Sequence, residues 1–320
     1  YLHCSFSLGL VRSYRGSSDS PNFQNMPIRL PWISELIRPC FIARPNCYIG
    51  ELDFKGIEVG ISACYNKDPR LVAYVSDPKL DMHRDMAAEI YQCDKSAVTK
   101  EARYTAKNRF VFPEFYGDWY LSCARSLWEA VERMKLTLTD GTSMKEHLLS
   151  CGISRLGACD PDCRPVPGTF EDHIQKVEDR FWNKRFRVYT QWKKDWWEVY
   201  QETGVIKLLT GFEIRGFLKR KEAINYPIQG TAFHCLLWCL IQLHNWIKRK
   251  GLRSRILGQI HDSLICDIHK DERDMFLEKA RRIMMEDLPA RWPWIIVPLS
   301  VEVEMSPLNG NWYEKKEVAL

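Results

Sequence analysis

The run Ile256-Leu-Gly-Gln-Ile260-His261-Asp262-Ser263-Leu-Ile-Cys-Asp-Ile268 constrains the fold more than any other stretch of the chain. Two apolar, strand-forming segments meet at a polar His-Asp pair, the pattern of a β-hairpin with a carboxylate at its turn. A carboxylate held there on rigid strands does little for folding and is well placed for a metal ion. A second strand-like run far upstream, Cys47-Tyr-Ile-Gly-Glu-Leu-Asp53-Phe54, also ends in an aspartate. Two aspartates from separate strands can share Mg²⁺ ions ~3.5–4 Å apart, the arrangement used for in-line phosphoryl transfer. The bland alternative is that Asp262 is only a turn former.

With 320 residues, 27% charged and 45% apolar, the chain has the balance of a globular protein with a full core. The net charge of +5 suits a nucleic-acid binder with an acidic centre without requiring one. No signal-peptide pattern opens the chain. The best apolar run, Ala232 to Ile247, is broken by His234, Gln242, His244 and Asn245, so it reads as a core helix and not a membrane span. The twelve cysteines are scattered, several at core-type positions such as Cys235 and Cys239, which favours a reducing, cytosolic setting over disulfides. Cys151, Cys159 and Cys163, with His147 or His173, could hold zinc, but their irregular spacing favours free thiols.

Residues 12–39 read as extended and irregular, and a strand through Asp53 follows. Helical spacing marks Asp81 to Tyr91, Lys100 to Phe112, Phe170 to Glu202 with Gly204 as its stop, Gln229 to Lys250, and Glu272 to Leu288. Leu299 to Met305 reads as a last strand. Residues 123–168 read as a loop-rich insertion, with Gly, Pro and Cys clustered over 152–168. Trp182, Trp192, Trp196 and Trp197 are expected to pack as core residues. The start at Tyr1 suggests a piece of something larger.

Arg103 and Lys107 are four apart, so a helix presents both cations on one face, which continues toward Phe112 and Tyr116. Alone this is a solvated basic face. Ending in aromatics, it could grip a triphosphate and stack a base. Asn225 to Thr231 reads as a helix-entry turn after a proline, with an amide pair near its start.

At these residues the chain resembles the DNA polymerase I-like, family A DNA polymerases. Arg15-Gly-Ser-Ser-Asp-Ser-Pro21-Asn22-Phe-Gln24-Asn25-Met-Pro27-Ile-Arg29 is similar to their palm-entry motif, and Asp53-Phe-Lys-Gly-Ile57-Glu58 to motif A. Arg103, Lys107, Phe112 and Tyr116-Gly117 resemble motif B, His261-Asp262 motif C, Asn225 to Thr231 their Asn-x-Pro-x-Gln-Gly-Thr element, and Asp81-Met-His83 an Asp-x-His helix start. These come in the family order along nearly the whole chain.

The resemblance implies an α+β right-hand fold without its thumb. Its palm would be built from residues 1–80 and 223–320 on a small antiparallel sheet with flanking helices, and its helical fingers from 81–222. It implies a template-directed DNA polymerase that adds dNTPs to a primer 3′-OH with two Mg²⁺ ions and releases pyrophosphate. Asp53, Asp262 and the carbonyl of Phe54 would be metal ligands, and Lys107 would protonate the leaving pyrophosphate. Arg103, Lys107 and His83 would contact the triphosphate, Phe112 would stack on the incoming base with Tyr116 closing the pocket, and Glu58 would exclude a 2′-OH. Arg15, Asn225, Gln229 and His261 would hold the primer terminus and minor groove.

Several residues depart from the family pattern. Ser263 replaces the usual Glu of motif C, Gly60 stands where motif A often ends in Arg, and Pro113 stands where a Gly is usual. One extra residue separates Lys107 from Tyr116, so Phe110 or Val111 competes with Phe112 for the stacking position. The Phe112-Pro-Glu-Phe-Tyr-Gly117 variant points to a phage-type enzyme acting on a phage genome in the cytosol of a bacterium or phage-infected host. A thumb and a 3′–5′ exonuclease are expected on a separate chain or upstream region. Two other readings stand beside this one. A single-subunit, phage-type RNA polymerase fits Ser263 but not Glu58, and a DNA-binding subunit that has lost the reaction fits the motif C and Gly60 changes.

Overall fold

The computed structural model describes residues 2–28, 30–153, 156 and 165–318. Arg29, at the end of the palm-entry motif, and the zinc candidates Cys159 and Cys163 lie outside them. The chain divides into two compact units, Tyr1–Asn66 with Trp197–Leu320, and Lys67–Trp196.

The first unit holds the strands β1 (Ser5–Ser7), β2 (Ser17–Asp19), β3 (Cys47–Phe54), β4 (Val205–Lys207), β5 (Glu213–Arg215), β6 (Arg255–Ile260), β7 (Ser263–His269), β8 (Val301–Met305) and β9 (Lys316–Val318). Five form one antiparallel sheet in the order β6-β7-β3-β8-β9. β7 and β3 are internal, which is why they read as nearly unbroken apolar runs and why every residue of β7 is buried. Alternation sorts β3 into two faces. Leu52 and Phe54 lie on one face with Leu264, Ile268 and Val303, all of them buried. The helices Arg220–Lys250 and Arg273–Arg282 pack on β7. On the other face, Cys47, Ile49 and Ile265 join a cluster with Phe23, Ala43 and Trp312. Further along that second face the residues become Glu51 and Asp53, opposite Glu304 and Glu302 of β8 and Ile265 and Ser263 of β7. Each fully buried Leu, Ile or Phe contributes roughly 1.5–3 kcal/mol, so this acidic strip is mounted on a stiff, well-anchored sheet.

The first of these helices differs from its expected start. It runs from Arg220 to Lys250 with Pro227 inside it, so Asn225 to Thr231 is helix interior and not an entry turn. Buried partners sustain it there. Tyr65 Oη is 2.8 Å from Thr231 Oγ1 and donates to the Pro227 carbonyl at 3.3 Å. Gly230 is needed for close approach, because a Cβ there would meet the Ser13 carbonyl oxygen at 2.1 Å. The segment 12–39 is also less irregular than expected, since Pro31–Ile37 is a short helix with its proline in the first turn.

Among its described residues the second unit is mainly helical, and it includes an isolated bridge between Thr137 and Ser143. Asp68, Asp81, Thr99 and Thr169 cap helices starting at Pro69, Met82, Lys100 and Phe170 by accepting backbone N–H bonds. Its core is aromatic, with Phe181, Phe186 and Tyr189 buried around Phe115 and buried Phe110 edge-on to Phe181. The stretch expected to be loop-rich holds two helices, Tyr120–Arg133 and Met144–Ser150. Leu121, Ala124, Leu127, Trp128 and Val131 give the first an apolar stripe. The four tryptophans are half-buried; Trp192 stacks on Trp196 at 5.1 Å, and the Lys193 ammonium lies 3.0 Å from the centre of the Trp182 ring. None of the ten described cysteines is in a disulfide. Among the described residues no helix is long and apolar enough to cross a membrane.

Candidate active site

The hairpin forms where its pattern places it, with Ile260 paired to Ser263 across the two-residue turn His261-Asp262. Primed two-residue turns match strand twist and need positive φ at their first central residue. His261 supplies it at φ 51°, a strained value for a residue with a side chain. The turn is stitched to the upstream strand as well. Asp53 pairs with Ser263, and the Phe54 N–H donates to the Asp262 carbonyl at 3.3 Å. Residues some two hundred positions apart therefore lie side by side at one end of the central strands.

Both aspartates are half-buried and neither is in an ion pair among the described residues. Burial is the main cause that pushes the Asp53 carboxyl up to about 7, with the charges of Asp262, Glu51 and Glu302 adding to it and Lys315 opposing. Burial likewise pushes Asp262 up to about 6; its own backbone N–H and Arg15 oppose, while Glu58 and Glu51 add. Two hard oxygen donors that repel each other in a partly desolvated recess are what a divalent cation relieves. No group of three or more His, Cys, Asp or Glu able to hold a metal occurs among the described residues. Mg²⁺ is ordinarily held by one or two carboxylates together with water and substrate phosphates, so Asp53, Asp262 and the Phe54 carbonyl fit it. They do not fit a closed structural metal cage. For zinc, Cys151 Sγ lies 3.7 Å from His147 Nε2, but His173 Nε2 donates to the Ile90 carbonyl, and the remaining cysteines lie outside the described residues.

Around the turn, Arg15 and Glu58 form an ion pair at 3.4 Å. Asn225 is buried and Gln229, one turn further on the same helix, is half-buried. His261 is exposed. Two glutamines escaped the sequence reading. Gln259 donates to the His261 carbonyl and accepts from Gln24 Nε2 at 2.7 Å, and Gln24 Nε2 also reaches the Gly16 carbonyl at 3.3 Å. They tie the segment after Arg15 to the turn. Gln24 stood inside the quoted motif, which was a signal; Gln259 sat in a strand with none.

In the second unit, His83, Arg103, Lys107 and Phe112 form one group. Arg103 Nε pairs with Asp81 at 2.7 Å, and the Lys107 ammonium lies 5.2 Å from the centre of the Phe112 ring. The His83 ring meets the Phe112 ring edge-on at 5.7 Å. Burial, then the Arg103 and Lys107 charges, push His83 down to about 4, so it is neutral, and its Nδ1 is buried with no partner. Phe110 and Val111 are fully buried while Phe112 is not, which leaves Phe112 the aromatic available on that face. The extra residue has a structural place too. Lys107–Val111 is a single π turn, with the Phe112 N–H bonded to the Lys107 carbonyl, and such a turn absorbs one inserted residue without breaking the helix. Tyr116 is exposed just beyond.

An antiparallel sheet that presents two aspartates beside a hairpin turn forms a carboxylate pair of a kind able to hold Mg²⁺. The sequence model of DNA polymerase family A matches residues 1–135 and 208–314, and the chain belongs to that family. It is 28% identical to DNA polymerase I of Chloroflexus aurantiacus over 319 residues, covering all of this chain and 30% of that protein. It is 29% identical to DNA polymerase I of Bacillus subtilis, over 98% of this chain and 31% of that one. The DNA polymerase of Bacillus phage SP01 is 26% identical over 98% of this chain and 32% of its own length. The chain thus spans about a third of these relatives. Among solved structures, the POL domain of Pol1 from M. smegmatis, in complex with DNA primer-template and dNTP, is similar with a TM-score of 0.71 and 22% identity, over 98% of this chain and 48% of that one. The α+β fold is therefore that of a polymerase domain.

Proposed function

We propose that this chain carries the nucleotidyl-transfer site of a DNA-directed DNA polymerase, extending a primer 3′-OH on a template with dNTPs. The observation that carries the reading is the pairing of Asp53 with Ser263 and of the Phe54 N–H with the Asp262 carbonyl, which brings both aspartates to one end of the central strands. Within it, the sheet-bearing unit acts as palm and Lys67–Trp196 as fingers. Bound Mg²⁺ would neutralise charge on the reacting phosphate and favour the attacking 3′-oxygen. The chain's own groups do the rest. Arg103 and Lys107 bind the triphosphate, with Lys107 giving a proton to the departing pyrophosphate. Neutral His83 offers an uncharged hydrogen-bonding ring beside them. Phe112 stacks on the base and Tyr116 closes over it. Glu58, braced by Arg15, leaves no room for a 2′-OH. Asn225, Gln229 and His261, with Arg15, hold the primer terminus. The finer part of the proposal, a phage genome as the setting, rests on the Phe112 to Gly117 variant alone.

Template-directed primer extension tests this. Asp53→Ala and Asp262→Ala should each abolish incorporation, a loss of about 10³-fold or more if several kcal/mol of charge stabilisation go. Folding, followed by circular dichroism, should persist. Preference for NTPs, or normal turnover by either variant, would reject the reading.

A further inference from the structure

Behind the Asp53–Asp262 pair lies a polar network that the reaction above leaves unused. Glu51 precedes Asp53 by two positions and so shares its sheet face. The Ser263 hydroxyl donates to Glu51 Oε1 at 3.2 Å and also reaches the Ile260 carbonyl at 3.0 Å, tying together the two ends of the His261-Asp262 turn. Glu51 Oε2 accepts from Trp312 Nε1 at 3.1 Å and from the Lys315 ammonium, which pairs with Glu304 as well. The Lys315 side chain is only 9% exposed and that of Glu51 17%. Both carboxylate oxygens are thus engaged by the chain itself, which makes Glu51 a fixture more than a ligand.

We infer that Glu51 is a positioning residue for Asp262, working through Ser263 to hold the strained turn in the geometry that accepts the cation. It does from β3 what an acidic residue at position 263 would do from the start of β7. The inference rests on the polymerase reading for its consequence, but its geometry stands on the sheet alone. A second acid at 263 would stand opposite Asp53 and diagonal to Glu51, and like charges across a strand pair repel. The effects of changing the two positions therefore cannot be additive.

The test compares Glu51→Gln, Glu51→Ser, Ser263→Glu and the double exchange Glu51→Ser/Ser263→Glu. Mn²⁺ binding, read from the free-ion paramagnetic resonance signal, is measured well below each melting temperature, with primer extension alongside. Each single change should weaken Mn²⁺ binding on the order of tenfold, as loss of an outer partner of a metal ligand does. The double exchange should recover most of it. Glu51→Gln keeps the volume but has one acceptor oxygen where Ser263 and Trp312 donate to two, and it loses the charge facing Lys315, so it removes the arrangement with the least risk to folding. Wild-type Mn²⁺ binding by Glu51→Gln and Glu51→Ser, or losses in the double exchange that simply add, would overturn the inference. An inactive wild type would instead sink the polymerase reading, leaving the Mn²⁺ comparison to decide the part played by Glu51.

Discussion

Asp53 shows how a single residue's surroundings translate into measurable behaviour. Its carboxyl, ordinarily at 3.8, is raised to about 7, so the folded protein keeps a proton that the unfolded chain has already released. Stability from this group is therefore present below about pH 4 and drains away as pH rises toward 7. In the absence of divalent ions, Asp53→Asn should melt higher than the wild type at pH 8 and at the same temperature near pH 3. Mg²⁺ should raise the wild-type melting temperature at pH 8 by mass action, much less at pH 5, and not at all for Asp53→Asn. Thermal scans across pH check all three. For Glu58, held by Arg15 at 3.4 Å, replacement by Ala should admit NTPs with little change in dNTP use, read by competitive extension.

Elements decide where such residues point. Removing Asn108, an exposed residue inside the Lys107–Val111 π turn, should leave a plain α-helix with Arg103 and Phe112 still on one face. The cost should be under ~2 kcal/mol in urea unfolding, since a π turn is a one-residue insertion that the flanking helix tolerates. Gly230→Ala should be far worse for its size, because its Cβ would meet the Ser13 backbone at 2.1 Å. Overpacking of that kind costs about 1–3 kcal/mol and should loosen the segment carrying Arg15. Some elements were legible in the chain and others were not. The β6–β7 hairpin was plain, because two apolar runs and a polar pair leave few alternatives. The Tyr120–Arg133 helix was hidden by its neighbourhood: its own stripe is regular, but the Gly, Pro and Cys further on set the reading of the whole stretch. Pro227 similarly suggested a helix start, and only buried partners such as Tyr65 explain why the helix runs through it.

For the whole molecule, the proposed grip on DNA is electrostatic and should fall with salt, log affinity changing by about −0.9 per phosphate contacted for each log unit of salt. Asp262→Ala should leave that slope unchanged in a filter-binding or anisotropy titration, since it removes no cation. Sequence alone determined which residue types exist to do chemistry: two aspartates at strand ends, a basic pair at helical spacing, a hairpin between apolar runs. Those are local patterns, and the periods of helix and strand make them readable. Only the tertiary structure decided which of them meet. Asp53 and Ser263 become partners through a ladder, Glu51 reaches Lys315 across 264 positions, and Gln259 finds Gln24. Such pairings rest on the burial of a whole sheet, and no local period in a chain encodes which distant strand will lie beside it.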